Sequence, residues 1–530
     1  MNLKDINFEE LSPFEFKDIL IKLASRKSEK MMLNAGRGNP NFVSLIPRYG
    51  FLQLGRFALS EAERHYGYMD DLIGGHSDRD GIEARFEIFV RSNWDAKGVK
   101  FLNAAVSYVK DHLGFSAGDF LHEMVQGYLG CEYPSPVRML KMGEQIVVRY
   151  LLREMGAGHD LLGETQLFAV EGGTAAMAYL FESLKANHIL EEGDKIALAV
   201  PIFTPYIEIP RLDTYRLVEI EIVADPEQGY QISDEELEKL LNPDIKAFFL
   251  VNPGNPTSVK LNDRTLKKIK EIIEKRKNLV IITDDVYATF ADDFKSIYAV
   301  CPHNTILVYS FSKYFGATGW RLGVIALHER NVVDRLIRKL PEDLQKELEE
   351  RYSSVTVNPR KLKFIDRLVA DSRNVALRHT AGLSTPQQVQ MVLFALYALM
   401  DEQNRYKEAV KRIMRRRYKA LYRGLGIEQP IDPNNVYYYT LIDTEALAEQ
   451  IYGREFADWF LKTLPYSEFV VRLAEEAHVV LLPGKGFDVK HPSARVSLAN
   501  LREVDYLKIG QTIRKLLDSY YKEFVKSKKK

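Results

Sequence analysis

Lys313 stands in SFSKYFGATGWRLG (310–323), which continues directly from the apolar run TILVYS (305–310). A lysine amine at the end of a buried run must be neutralised or used, because an unpaired charge beside a sheet is costly. Partial burial lowers an ammonium pKa from its usual value of about 10.4 and frees an amine that condenses with an aldehyde. Eight residues later Arg321 can return to the same region, and a guanidinium grips a phosphate through paired hydrogen bonds. Ser310 offers that anion a hydroxyl, and Gly316, Gly319 and Gly323 allow close backbone approach. One reading is imine chemistry on a phosphorylated aldehyde. The other is a salt-bridged lysine in a basic turn, and this segment alone does not separate them.

Three further segments do. TDDVY (283–287) follows another apolar run, and two adjacent acids there are costly unless one meets a cation. A protonated pyridine nitrogen is such a cation, and the acid keeps the ring an electron sink. VNPGNPTS (251–258) follows a third run and offers an amide side chain in a rigid turn. EGGTAAM (171–177) follows a fourth and opens a helix, whose first N–H groups and dipole form an anion site. Four segments agree on a phosphorylated pyridine aldehyde carried by Lys313.

The elements that must hold these residues are legible as short apolar runs alternating with helix-length segments. The runs are QLFAV (166–170), KIALAV (195–200), YRLVEIEIV (215–223), IKAFFLV (245–251), LVIITD (279–284), TILVYS (305–310) and GVIAL (323–327). Seven such runs predict an α/β fold with a mostly parallel seven-stranded sheet covered by helices on both faces. Ligands gather at the carboxyl ends of strands in such sheets, where the four segments fall. The first 60 residues read as irregular, with NAGRGNPNF (34–42) turn-rich. Helical patterns dominate from Leu54 to Leu113, residues 330–378 are charged and helical, and one long helix is expected from about Gln387 to Arg423. The final helix repeats apolar positions at Tyr506, Ile509, Ile513, Leu516, Leu517 and Tyr520, a core stripe.

Over roughly residues 120–330 and 380–500 the chain resembles the aspartate aminotransferase family, fold type I of the pyridoxal-phosphate (PLP) enzymes. The resemblance rests on S-x-S-K followed by G-x-x-G-W-R-L-G, on D-x-x-Y, on N-P-x-N-P-T and on the late R-V-S-L-A. It implies PLP on Lys313, which also carries catalytic protons, and Asp284 on the pyridinium nitrogen with Asp285 pointing the other way. It further implies Tyr287 and Asn255 at the phenolate oxygen, and Gly173, Thr174, Ser310 and Arg321 around the phosphate. Phe203, in VPIFTPY, resembles the aromatic stacked on the ring, with core packing as its plain alternative. Tyr128 resembles the tyrosine that reaches a partner subunit's phosphate, implying a homodimer as the minimal active unit. Arg495 resembles the fork on the substrate α-carboxylate, and Gly38 fits the N-terminal loop over the substrate.

The chain departs from the generic aminotransferase pattern in its greater length, in NAGRGNPNF (34–42) and GYLGCEYPSPVRML (127–140), and in the extra segment 330–378 leading into SRNVALRHTAGLSTPQQ. Together these resemble the bacterial aspartate 4-decarboxylases, which convert L-aspartate to alanine and CO2 and also transaminate it, some of them as large oligomers of dimers. That resemblance covers essentially the whole chain. Candidate recognisers of the distal carboxylate are Arg37 first, then Arg373, Arg378, Tyr133 and Thr380, all within the departing segments. Taken singly, each arginine is more often a surface or ion-pair residue. The weighed alternatives are an ordinary aminotransferase with insertions, which would use 2-oxo acids as partners, a regulator with an aminotransferase-like domain, and a pseudoenzyme.

Composition bounds the rest. Lys plus Arg equals Asp plus Glu at 73 each, so no net field draws the 530-residue chain to nucleic acid or an anionic membrane. Hydrophobic residues make up 46%, enough for two or three structural units. We expect an N-terminal arm and part of the small domain over 1–60, a large PLP-binding domain over 61–385 with helical insertions near 61–115 and 330–378, and a C-terminal small domain over 386–530. Two cysteines, Cys131 and Cys301, make neither a disulfide scaffold nor a metal site. The N-terminus lacks a signal-peptide core, and no stretch reads as a membrane span, so a cytoplasmic protein is expected.

Overall fold

The computed structural model describes residues 11, 13–25, 32–66, 73–132, 138–373, 382–465 and 467–528. All seven apolar runs are strands: β1 (Thr165–Val170), β2 (Lys195–Val200), β3 (Val218–Asp225), β5 (Ile245–Val251), β6 (Val280–Asp284), β7 (Thr305–Ser310) and β8 (Gly323–His328). An eighth, the two-residue β4 (Gln231–Ile232), pairs antiparallel at the edge of β3. The sheet order is β1-β8-β7-β6-β5-β2-β3-β4. The seven expected strands run the same way except β8, which is antiparallel to both β1 and β7. The eighth strand escaped the sequence reading because two residues carry no periodicity.

Register explains why the site forms. Val170 pairs with Gly323, Gly323 with Ser310, Asp284 with Val308, and Val251 with Asp284. The carboxyl ends of β1, β5, β6 and β7 therefore finish at one level, each delivering its next residue to the same edge. Buried strand side chains on both faces, such as Ile281 and Ile282, anchor this edge between two apolar layers.

The N-terminal reading needs correction. Residues Pro13–Ala24 and Ile46–Tyr66 are helices rather than irregular chain. Each carries its proline in the first turn, where the missing N–H costs nothing, so letters that read as turns start helices instead. Helices Val99–Asp111 and Ala117–Leu129 pack beside Ile46–Tyr66, and Ile82–Ser92 packs on those two and meets Ile46–Tyr66 where the Phe86 and Phe57 rings lie 5.2 Å apart. The single long helix expected over 387–423 is two, Thr385–Met400 and Arg405–Leu425. Asn404 adopts a left-handed φ of 51°, and the Asp401 carboxylate accepts from the Tyr406 N–H at 2.9 Å, capping the second helix. Thr385–Met400 packs on the helices Ile46–Tyr66, Ala117–Leu129 and Lys141–Glu154, whereas Arg405–Leu425 packs on the C-terminal helix Glu503–Ser527. The predicted apolar stripe of that last helix is buried throughout.

The segment 330–373 folds as helices Val332–Ile337, Glu342–Tyr352 and Phe364–Arg373. A buried polar cluster pins it to the helix Gly173–Ala186. Asp371 accepts from Ser183 (2.5 Å), Tyr352 (2.9 Å), Arg351 (2.9 Å) and Asn187 (3.2 Å), and Arg367 donates to Asn187 at 3.1 Å. Arg367 also lies over the Tyr352 ring at 4.6 Å. With so many donors the buried carboxylate is satisfied, which is the condition for tolerating it.

Candidate active site

A cavity of about 260 Å³ opens at the aligned strand ends. Gly173, Thr174, Phe203, Asn255, Asp284, Tyr287, Ser310, Lys313 and Arg321 all line it, with Gly38 and Arg495. Gly173 and Thr174 begin the helix Gly173–Ala186, so their N–H groups face the cavity end of its dipole. Arg321, itself at a left-handed φ of 56°, donates to the Thr318 carbonyl at 3.0 Å and the Glu171 carbonyl at 2.9 Å. Gly172 has a φ of 89°, which disfavours any side chain, and a Cβ there would press on the Arg321 guanidinium. The Ser310 hydroxyl lies 2.9 Å from that of Ser312. Helix N–H groups, two hydroxyls and a guanidinium form a phosphate-sized donor cup.

At the end of β6, Asp284 is 6% exposed. Its carboxylate accepts from the Tyr206 hydroxyl at 2.6 Å and the Val286 N–H at 3.1 Å. Burial pushes the carboxyl above its ordinary value, opposed by these two hydrogen bonds and by the Lys313 charge. Asp285 is wholly buried, bonded to the Thr283 hydroxyl, and does not line the cavity; burial lifts it to about 7. The two neighbouring acids thus face different surroundings.

Lys313 donates to the Gly38 carbonyl at 3.2 Å, and Tyr438 donates to the same oxygen at 2.7 Å. Arg495 reaches the cavity from the strand Ser493–Ser497, donating to Asn255 Oδ1 at 2.9 Å and the Gly36 carbonyl at 2.7 Å. It is 4% exposed, and its Nε finds no partner among the described residues. A buried guanidinium that lines a cavity and keeps a donor unused suits a carboxylate. The Tyr287 hydroxyl lies 2.9 Å from that of Tyr439, and burial raises its pKa.

Tyr128 lies elsewhere: its ring packs 4.8 Å from Phe51, beside Gly55, and does not line this cavity. Arg37 is exposed and Arg373 half-buried at a helix end; neither lines the cavity. Tyr133, Arg378 and Thr380 lie outside the described residues. Sequence reasoning missed Tyr206, Tyr438, Tyr439, Ser312 and Asn39. Tyr206 was signalled by its place three residues after Phe203 in VPIFTPY, one helical turn on.

The donor cup, the buried acid and the lysine together fit PLP. Residues 150–509 match the aminotransferase class I and II family. The chain belongs to that family. It is 56% identical over 515 residues, 97% of each chain, to a Pseudomonas protein named bifunctional aspartate aminotransferase and L-aspartate beta-decarboxylase. A probable aspartate/prephenate aminotransferase of Aquifex aeolicus is 32% identical over 154 residues, 27% of this chain and 36% of that one. Among solved structures, a mutant of the Thermus thermophilus aspartate aminotransferase superposes with TM-score 0.62 over 97% of this chain and 98% of the other. At 17% identity that likeness establishes the fold, fold type I as expected.

Proposed function

We propose that this enzyme performs PLP-dependent β-decarboxylation of L-aspartate to L-alanine and CO2, accompanied by transamination of aspartate with 2-oxo acids. The observation that carries it is the 56% identity spanning 97% of both chains, which runs through the segments that depart from ordinary aminotransferases.

When bound, PLP supplies an aldehyde to the amine and an electron-poor ring that takes up the charge left at the amino acid's α-carbon. The chain's own groups do the rest. Gly173, Thr174, Ser310 and Arg321 would hold the phosphate, Phe203 would cover the ring, and Tyr287 and Asn255 would donate toward the phenolic oxygen. Asp284 would keep the ring nitrogen protonated. Arg495 orients the α-carboxylate, placing the α-hydrogen toward Lys313 Nζ, which removes it and returns protons later. A tight fork on the distal carboxylate would stabilise the charged ground state and oppose its loss. Recognition by Arg37, with Arg373, Arg378, Tyr133 and Thr380 as further candidates, therefore needs enough cation to select aspartate without clamping the leaving group.

A homodimer is the proposed active unit, with Tyr128 of each chain serving its partner's phosphate. Leu45, Leu52, Leu59 and Tyr66 recur every seventh residue, all more than 40% exposed, an apolar stripe suited to a second copy. Higher oligomers of dimers would build on this unit. No described helix is long and apolar enough to cross a membrane. Both cysteines are free, in keeping with a cytoplasmic location.

The test is incubation with L-aspartate and PLP, without a 2-oxo acid. Catalytic CO2 and alanine are expected; oxaloacetate in amounts stoichiometric with enzyme, and nothing more, would return the chain to the plain aminotransferases. Lys313→Ala should lose both turnover and the visible cofactor band that borohydride abolishes.

A further inference from the structure

Tyr439 belongs to a strand of the C-terminal unit, Tyr439–Asp443, yet it touches three parts of the site. Its ring lies under the Arg495 guanidinium at 4.3 Å. Its hydroxyl is 2.9 Å from the Tyr287 hydroxyl. It also fills the space beside Gly38, where a Cβ would overlap its oxygen while standing 3.5 Å from Lys313 Nζ. The residue is held firmly: its N–H donates to Ser258 Oγ at 2.6 Å, and the Val436 N–H donates to the Ser258 carbonyl at 2.8 Å. Ser258 ends the turn that carries Asn255.

We propose that Tyr439 is a positioning residue that joins carboxylate recognition to the charge state at Lys313, its ring supporting Arg495 and its hydroxyl polarising that of Tyr287. This rests on the PLP reading above. A Tyr287 hydroxyl that donates to the phenolic oxygen has its own oxygen free to accept, and Tyr439 is the hydroxyl placed to donate to it. Chained hydrogen bonds strengthen one another. Loss of the Tyr439 donor therefore weakens the Tyr287 bond, leaves the phenolic charge less stabilised, and lets Lys313 Nζ hold its proton more tightly. The ring acts separately, because a cation over an aromatic face is attracted whether or not the hydroxyl is present.

Two substitutions in the full-length holoenzyme separate these effects. Tyr439→Phe keeps the ring and the packing. Its visible-band pH titration should move upward by a few tenths of a pH unit or more, while succinate, the probe dicarboxylate, binds within about twofold of the parent. Tyr439→Leu should add a roughly 3- to 30-fold loss of succinate affinity. An unmoved titration midpoint in Tyr439→Phe overturns the inference, and that variant decides the matter even if the leucine variant folds poorly. Parent-like succinate binding by a folded Tyr439→Leu overturns the role of the ring. A parent enzyme without any visible band overturns the cofactor reading itself, a result distinct from either.

Discussion

Replacing Tyr206 by phenylalanine removes a single oxygen, one of two hydrogen-bond donors to a buried carboxylate. The Tyr206 hydroxyl stands 2.6 Å from Asp284 Oδ2, leaving only the Val286 N–H, 3.1 Å from Oδ1, once it is gone. A hydrogen bond to a charged group contributes about 1.5–3 kcal/mol, and about 1.4 kcal/mol is one pKa unit. Asp284, already lifted by burial, should therefore rise by roughly one to two further units. A more basic carboxyl draws the shared proton from the ring nitrogen to itself, and the ring becomes a poorer electron sink. The same energy, applied to the barrier, predicts a fall in kcat of about 10- to 100-fold. The assay measures two rates with saturating L-aspartate: alanine formation, and exchange of the α-hydrogen with deuterated solvent. Both should fall together, since both require the α-hydrogen to leave. PLP should remain bound, because the donor cup is untouched. Rates within twofold of the parent, with cofactor bound, would refute the placement of Asp284 on the ring or the ionic character of its bond to Tyr206.

Gly38→Ala puts a methyl into the Tyr439 hydroxyl; overpacking of about 1–3 kcal/mol predicts a roughly 5- to 150-fold loss of kcat/KM with the visible band retained, and loss of the band would point to a collapsed site instead. Asp285→Asn tests the buried acid lifted to about 7. Because its folded pKa is raised, its contribution to stability is full below about pH 4 and disappears as pH climbs through 7. Between those values the denaturation midpoint of the PLP-free parent should fall more steeply than that of the variant, and parallel curves would contradict the assignment. Asp371→Ala should cost about 1–3 kcal/mol in denaturant unfolding for each buried hydroxyl it leaves without an acceptor, those of Ser183 and Tyr352. Arg360→Ala, which breaks exposed pairs with Glu342 and Glu349, should leave the unfolding curve unchanged.

The convergence of Lys313, Asp284, Asn255 and Gly173 on one cavity was legible because each follows an apolar run long enough to be a strand, and buried polar residues there demand partners. They lie far apart in the chain, and register alone brings their strand ends level. Tyr206 was only half legible: its place one turn after Phe203 points toward the site, but an aromatic there reads equally as core, and only the packing of Thr204–Arg211 shows its hydroxyl facing Asp284. Tyr438 and Tyr439 were hidden for another reason. They belong to a YYY run whose direction depends on Tyr437 turning at a left-handed φ of 57°, a conformation that an aromatic residue rarely adopts. The helix at Ile46 was obscured by Pro47 and Gly50, residues that mark turns elsewhere but are buried within its first turns.

The polar cluster around Asp371 also limits how this chain could be shortened. Helix Phe364–Arg373 covers the outward face of Gly173–Ala186, where Leu180 and Leu184 share a core with Ile365, Leu368 and Val369. Excising 330–373 would expose that apolar face and strand Ser183 and Asn187 without their partners, beneath the helix whose first residues line the phosphate cup. A miniaturised version would have to redesign the back of that helix at the same time as the deletion. The added segment has thus become a dependency: a route toward the size of an ordinary aminotransferase passes through intermediates less soluble than either end.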